Sequence, residues 1–275
     1  MSEMLPDGAW LLAGMDFDTS GSAKQKELED KLRKDPSAVR NKDGGCQFPT
    51  SHMAFAVYAN TDIGVVSRGT FSADAMLDCI ASSAKDASRT QIDNHDVVKL
   101  DGGLVVLASD TGLLMFAHEP VLKRALADQL RPADTDPALL PLITKARGIG
   151  EIWAAGRIPK HAPIVDDVLG MLSVKLTGRI QSFTAGIHFT EPFKIEIDFD
   201  LEEPGDAQLL ATALAQKLQW LTVLDAKLET VVDSLAVRAD GTHVQVLGTP
   251  GKVDWLEAFS GLMGAIAAIK NQLEN

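Results

Sequence analysis

The stretch from Pro192 to Glu202 constrains the fold more than any other part of this chain. It reads Pro-Phe-Lys-Ile-Glu-Ile-Asp-Phe-Asp-Leu-Glu. Side chains on an extended strand alternate between two faces. Phe193, Ile195, Ile197, Phe199 and Leu201 therefore share one side, and Lys194, Glu196, Asp198, Asp200 and Glu202 share the other. A strand this two-sided belongs to an antiparallel sheet with one packed face and one wet face.

The preceding chain supplies companions for it. Ala9 to Phe17 reads as a first strand, and Ser22 opens a helix to about Lys34, with Gln25 at capping-box spacing. A polar loop, Asp35 to Ser51, leads to a hairpin of Met53–Ala59 and Ile63–Gly69 around Asn60-Thr61-Asp62. Ser72 reads as an N-cap, with Phe71 and Met76 placed as a hydrophobic staple. Val97–Leu100 and Leu104–Ala108 meet at Asp101-Gly102, and Asp110-Thr111-Gly112 turns into Leu113–Ala117. Helices are expected at about Pro120–Leu130 and Pro137–Ala146.

The pattern then begins again. Glu151–Ile158 reads as a strand and Ile164–Leu172 as a short helix. Leu176–Phe189 and Phe193–Leu201 form a long hairpin, followed by a helix from Asp206 to Val232 with a leucine stripe. Leu235–Ala239 and Thr242–Leu247 pair around Asp240-Gly241; a two-residue turn there sets Val237 against Val244 and Leu235 against Val246. A last helix runs from Val253 to Leu273. The expected class is α+β: antiparallel sheet built from hairpins, helices on one face, and a strand-helix-hairpin-helix-hairpin-helix unit used twice. The repeats are 1–140 and 141–275, as two lobes or one continuous domain; Trp10-Leu-Leu-Ala-Gly answers Trp153-Ala-Ala-Gly.

Composition bounds the function. A formal net charge of -12 argues against nucleic acid, which needs concentrated Lys and Arg. Charged residues interrupt every apolar run well before the roughly 18 residues of a transmembrane helix. The opening Met-Ser-Glu-Met-Leu-Pro-Asp-Gly has neither a basic nor an apolar signal region, which fits a cytosolic protein or a trimmed mature form. Cys46 and Cys79 are either two unrelated thiols, one of them buried, or one disulfide tying the loop to a helix in an oxidising compartment.

Few residue patterns carry chemistry. Asp16 to Glu27 fits the EF-hand loop pattern, with Asp16, Asp18, Ser20 and Glu27 as calcium ligands and Gly21 at the sharp turn. Against it stand a preceding strand where an EF-hand has a helix, Ala23, and Lys24 inside the loop. The simpler reading is an acidic strand end running into a helix cap. The same Asp16-x-Asp18 also reads as the first motif of haloacid-dehalogenase-type phosphatases, but those need a parallel, doubly wound sheet. Gly248-Thr-Pro-Gly-Lys252 is too short for a phosphate loop. There is no nucleophile elbow, no paired-histidine spacing and no Cys-x-x-Cys. His188 and Glu191 flank a turn and read as solvated. The charged face of Glu196, Asp198, Asp200 and Glu202 is a soluble surface, or else a docking face for a basic partner or divalent ions.

The order of pieces has a counterpart. A strand ends in Asp before a Ser-capped helix, then come Gly45-Cys46, a hairpin closing Val65-Val-Ser-Arg-Gly-Thr-Phe71, Leu77-Asp-Cys-Ile80, and Trp153-Ala-Ala-Gly-Arg-Ile-Pro159 opening the second half. This layout resembles the duplicated α+β domains of exported bacterial lipoproteins. The resemblance implies that a matching pair, Cys46 and Cys79, forms a disulfide, and it carries no active site or resident cofactor. A lipid-attachment Cys and signal are absent from the residues present, as in a trimmed chain. The expected function is thus a non-catalytic extracytoplasmic domain, in the periplasm or at the cell surface, that binds a protein or a small apolar ligand. The competing readings are a cytoplasmic interaction domain with free thiols and a calcium-dependent protein using the Asp16–Glu27 loop.

Overall fold

The computed structural model describes residues 5–16, 52–58, 62–127, 136–188, 193–224 and 229–250, with Asp30, Lys34, Asp35, Val39, Arg40, Gly45 and Cys46 between them. Two units divide the chain, Met1–Pro141 and Leu142–Asn275. The expected helix at Val253–Leu273 lies outside the described residues. Of the helix expected from Ser22, only Asp30 and Lys34 are described, and both are helical.

The first unit holds β1 (Ala9–Asp16), β2 (His52–Tyr58), β3 (Ile63–Arg68), α1 (Ala73–Ser83), β4 (Ser88–Ile92), β5 (His95–Lys99), β6 (Leu104–Ser109), β7 (Leu113–His118) and α2 (Glu119–Leu126). Its strands lie in the order β1-β2-β3-β7-β6-β5-β4, every neighbouring pair antiparallel. Ser72 caps α1 by accepting a hydrogen bond from the Ala75 N–H. Phe71 and Met76 are buried together, as the staple requires.

Both faces of this sheet are covered, so the expectation of helices on one face gives way here. Met76, Leu77 and Ile80 of α1 pack on the face carrying Val98, Val106, Ala108 and Leu114. The opposite face receives α2: a Cβ on Gly64 would stand 3.2 Å from Val121 and 2.9 Å from Leu5. Val97, Val98, Val105 and Val106 are consequently all at most 1% exposed. The cause is legible in the chain. Leu104-Val-Val-Leu-Ala and Leu113-Leu-Met-Phe-Ala are continuous apolar runs, the mark of strands buried on both faces, whereas Phe193–Leu201 alternates.

Strand β4 lies where the sequence shows no strand pattern. It is an edge strand whose first four residues are exposed, so it shows no buried alternation. Its signal was the Asp93-Asn94 turn, where both residues take positive φ, 47° and 64°, as a tight hairpin demands. Arg89 fastens β4 to α1 through Asp74 at 2.9 Å and Asp78 at 2.6 Å. Exposed pairs of this kind contribute at most about 1 kcal/mol.

The second unit comprises α3 (Leu140–Arg147), which opens at the junction, then β8 (Ile152–Arg157), α4 (Pro163–Met171), β9 (Ile180–His188), β10 (Lys194–Leu201), α5 (Pro204–Leu224), α6 (Glu229–Asp233), β11 (Leu235–Asp240) and β12 (His243–Gly248). Its strand order is β8-β9-β10-β12-β11, again antiparallel. Phe183 faces Phe199, Ala185 faces Ile197 and Ile187 faces Ile195, so the long hairpin has the expected shared apolar side. In the last hairpin Val237 faces Val246 and Ala239 faces Val244. That register differs by two residues from the expected one because the turn is Gly241-Thr242, with Gly241 at φ +57°. A shift of two leaves each side chain on its expected face. The antiparallel α+β class stands. The internal duplication is not confirmed: among the described residues the first unit has seven strands and the second five.

One buried acid holds the second unit's loops. Asp206, third residue of α5 and 1% exposed, accepts from Thr177 N at 2.9 Å, Thr177 Oγ1 at 3.0 Å and Gly178 N at 2.7 Å. Desolvation pushes its carboxyl up, but the three hydrogen bonds together outweigh that and hold its pKa below the ordinary carboxylate value. A depressed folded pKa contributes stability that is present above the unfolded value, near 4, and lost as pH falls through the folded one. We therefore expect Asp206→Asn to lower stability by about 2–4 kcal/mol at neutral pH, since charge-assisted hydrogen bonds are lost from buried donors. The gap from the unsubstituted protein narrows on acidification below about pH 4. Urea midpoints at neutral and acid pH check this; a gap that stays constant with pH contradicts it.

Candidate functional site

The charged face of β10 was expected to be wet, and its centre is not. Glu196 and Asp198 are only 15% and 18% exposed. Helix α3 and the turn after it lie over this face where β9 offers Gly186: a Cβ there would fall 2.4 Å from the Ile149 Cβ and 3.2 Å from the Ala146 carbonyl. The missing side chain makes the depression into which that segment settles. Helix α5 packs on β10, β11 and β12, where Leu201, Leu210, Val244 and Val246 are buried. Of the leucine stripe of α5, Leu210 is buried against these strands, and Leu214 and Leu218 are half-buried.

Register places two polar rows side by side beneath α3. Arg238, Gln245, Asp198 and Thr184 stand opposite one another across β11, β12, β10 and β9. Two residues along, Asp240, His243, Asp200, Ser182 and Arg157 form the next row, reaching β8. Strands lie about 4.8 Å apart, so the four-strand row extends roughly 14 Å. With Leu142 and Lys145 of α3 above, the rows apart from Arg157 line a cleft of about 580 Å³. That volume lies within the range of small-molecule sites, roughly 300–1,000 Å³.

The cleft centres on Asp198. Its Oδ1 accepts from Gln245 Nε2 at 2.9 Å, and its Oδ2 lies 2.9 Å from Lys145 Nζ. Beside it Thr184, 2% exposed, buries a hydroxyl with no hydrogen-bond partner among the described residues. In the second row His243 Nδ1 stands 3.5 Å from Asp200 Oδ1. Ser182 and His243 occupy strands separated by β10, roughly 10 Å apart at the backbone, too far for a serine–histidine nucleophile pair. Among the described residues no group of three or more His, Cys, Asp or Glu is placed to hold a metal ion. The carboxylates of this face therefore answer to Lys145, Lys194, Arg179 and His243 rather than converging on a shared point.

The residues singled out from sequence fall elsewhere. Asp16 ends β1 opposite His52, while Asp18, Ser20 and Glu27 lie outside the described residues. Cys46 and Cys79 are joined by a disulfide, with Cα atoms 5.8 Å apart, so the bridged alternative holds. His188 pairs with Glu151 at 3.1 Å; Glu191 lies outside the described residues. Sequence reasoning found Asp198 and Asp200 as part of a face but missed the cleft. Pairing across strands distant in sequence creates it, and only the run of charges in β10 hinted at it.

No family model and no curated protein matches the chain. Among solved structures it is similar to crystal form III of TP0453, a treponemal lipoprotein, with a TM-score of 0.51 and 9% identity over 90% of this chain and 91% of that one. Crystal form IV of the same protein gives 0.48 and 10% identity over 94% and 95%. At such identity the likeness to form III is one of fold.

Proposed function

We propose that this chain is an extracytoplasmic, lipoprotein-type domain that binds a ligand without transforming it, and that the cleft of the second unit is its binding site. The observation that carries the binding reading is the Thr184 hydroxyl, buried beside Asp198 without a partner. Folded proteins leave few such groups, because an unmet buried polar atom costs about 1–3 kcal/mol. A ligand that met it would recover that loss. Most lining residues are polar or charged, with Leu142, Phe183 and Phe199 between them, which suits a ligand carrying polar groups better than a wholly apolar one. For the compartment, the Cys46–Cys79 bridge is the support: such bonds persist outside the reducing cytosol. The fold shared with a lipoprotein points the same way.

The compartment is tested by trapping thiols with an alkylating reagent in cells that make the full chain, then measuring intact mass without reductant. A bridged, unalkylated pair in an extracytoplasmic fraction is expected. Both cysteines alkylated, in protein taken from its native compartment, overturn the extracytoplasmic assignment.

A further inference from the structure

Resting on the cleft as the binding site, we propose that its ligand is a small zwitterion of the free amino-acid class, whose ammonium takes the place that Lys145 Nζ now occupies. The argument starts from what an ammonium needs. It carries three donors and no acceptor, so a full site offers it a carboxylate and further oxygens. Asp198 Oδ2 and the unpartnered Thr184 hydroxyl stand on facing residues of neighbouring strands. Gln245 fixes the other carboxylate oxygen, so the acceptor is held in one orientation.

The occupant that meets Asp198 is the chain's own ammonium. Lys145 is 52% exposed at the cleft mouth, on a long flexible stem, while Asp198 is 18% exposed. A half-buried carboxylate must be paired, and a mobile surface lysine is the weaker of two available partners once a ligand of the same chemistry arrives. Lys145 is thus an internal competitor that keeps Asp198 neutralised while the cleft is empty.

The second charge of the ligand is read from Arg238. It stands in the same row as Asp198, two strands away, and has no ion pair among the described residues. Two strand spacings are about 10 Å at the backbone. An arginine side chain leaning inward closes much of that distance, leaving room for a few atoms between its guanidinium and Asp198. Guanidinium pairs a carboxylate through two parallel N–H donors. Ammonium at one end and carboxylate at the other, a few bonds apart, describes an amino acid. A simple amine leaves Arg238 unused, and a simple carboxylate faces Asp198 and Asp200 with nothing to offer them.

The test is an amide NMR titration of the full chain with glycine, L-alanine, ethylamine and acetate, each at millimolar concentration. Glycine and L-alanine are expected to shift the amides of Thr184, Asp198 and Gln245 saturably, and more strongly than ethylamine or acetate. Lys145→Met removes the competitor and is expected to tighten glycine binding about tenfold, where a purely structural lysine gives weaker binding on removal. Arg238→Ala, at an exposed position, is expected to weaken glycine about tenfold and leave ethylamine unchanged. Ethylamine or acetate binding as well as glycine overturns the zwitterion and keeps the cleft. Weaker glycine binding by Lys145→Met overturns the competitor role. No shift in the cleft with any of the four probes overturns the cleft as a small-ligand site as well.

Discussion

Replacing both Cys46 and Cys79 by alanine is expected to lower the stability of the first unit by about 4 kcal/mol, and its melting temperature by roughly 8–16 °C. The bridge spans 33 residues of chain, and closing a loop of that length removes about this much entropy from the unfolded ensemble. Its position makes the effect local as well as global. Cys79 is 3% exposed on α1, among Phe71, Met76, Leu77 and Ile80, and Val39 belongs to the same cluster. Cys46 forms an isolated antiparallel bridge with Arg40. The disulfide therefore pins Cys46, with Val39 and Arg40 beside it, on the helix that covers one face of the sheet. Calorimetry of the double variant, beside the unsubstituted protein with and without reductant, reads the loss. A change below about 1 kcal/mol shows that packing alone holds these residues, and rules out the bridge as a main support of this unit.

Gly112→Ala is expected to destabilise by about 3 kcal/mol or more, and Gly102→Ala by only about 1–2 kcal/mol, although both residues sit at nearly the same φ, +77° and +75°. The left-handed backbone penalises any side chain similarly at the two sites. The difference is space. A Cβ on Gly102 meets nothing within 4 Å, whereas one on Gly112 would lie 2.1 Å from the Gly69 carbonyl oxygen. Gly112 also accepts a hydrogen bond from Gly69 N at 2.9 Å, so the two glycines close the end of the β3–β7 ladder. Backbone cannot move aside as a flexible side chain does, so the substitution must open that ladder. Urea unfolding of the two variants side by side separates strain from collision. Equal losses would mean that only the backbone angle matters.

Some of the candidate site could be read in advance and some could not, for an identifiable reason. Asp198 and Asp200 were visible as members of a charged strand face, because strand geometry assigns side chains to faces without further information. Thr184, Gln245 and Arg238 were not, since each is an ordinary polar residue on its own hairpin. What joins them is register, and register depends on where each turn closes. The last hairpin shows how little separates the alternatives: placing the turn at Gly241-Thr242 instead of Asp240-Gly241 shifts every pair by two. Lys145 was further from reach, because the docking of α3 follows from the absence of a side chain at Gly186.

By itself the amino-acid order determined the antiparallel class, the apolar side of the long hairpin, and the capped start of α1. Those features follow from alternation and local hydrogen bonding, which act over a few residues. Which faces carry helices, whether the two cysteines meet, and which polar groups share a cleft were decided by tertiary structure alone. Each depends on contacts between segments tens of residues apart, whose free energy comes from shared burial and leaves no local mark on the chain.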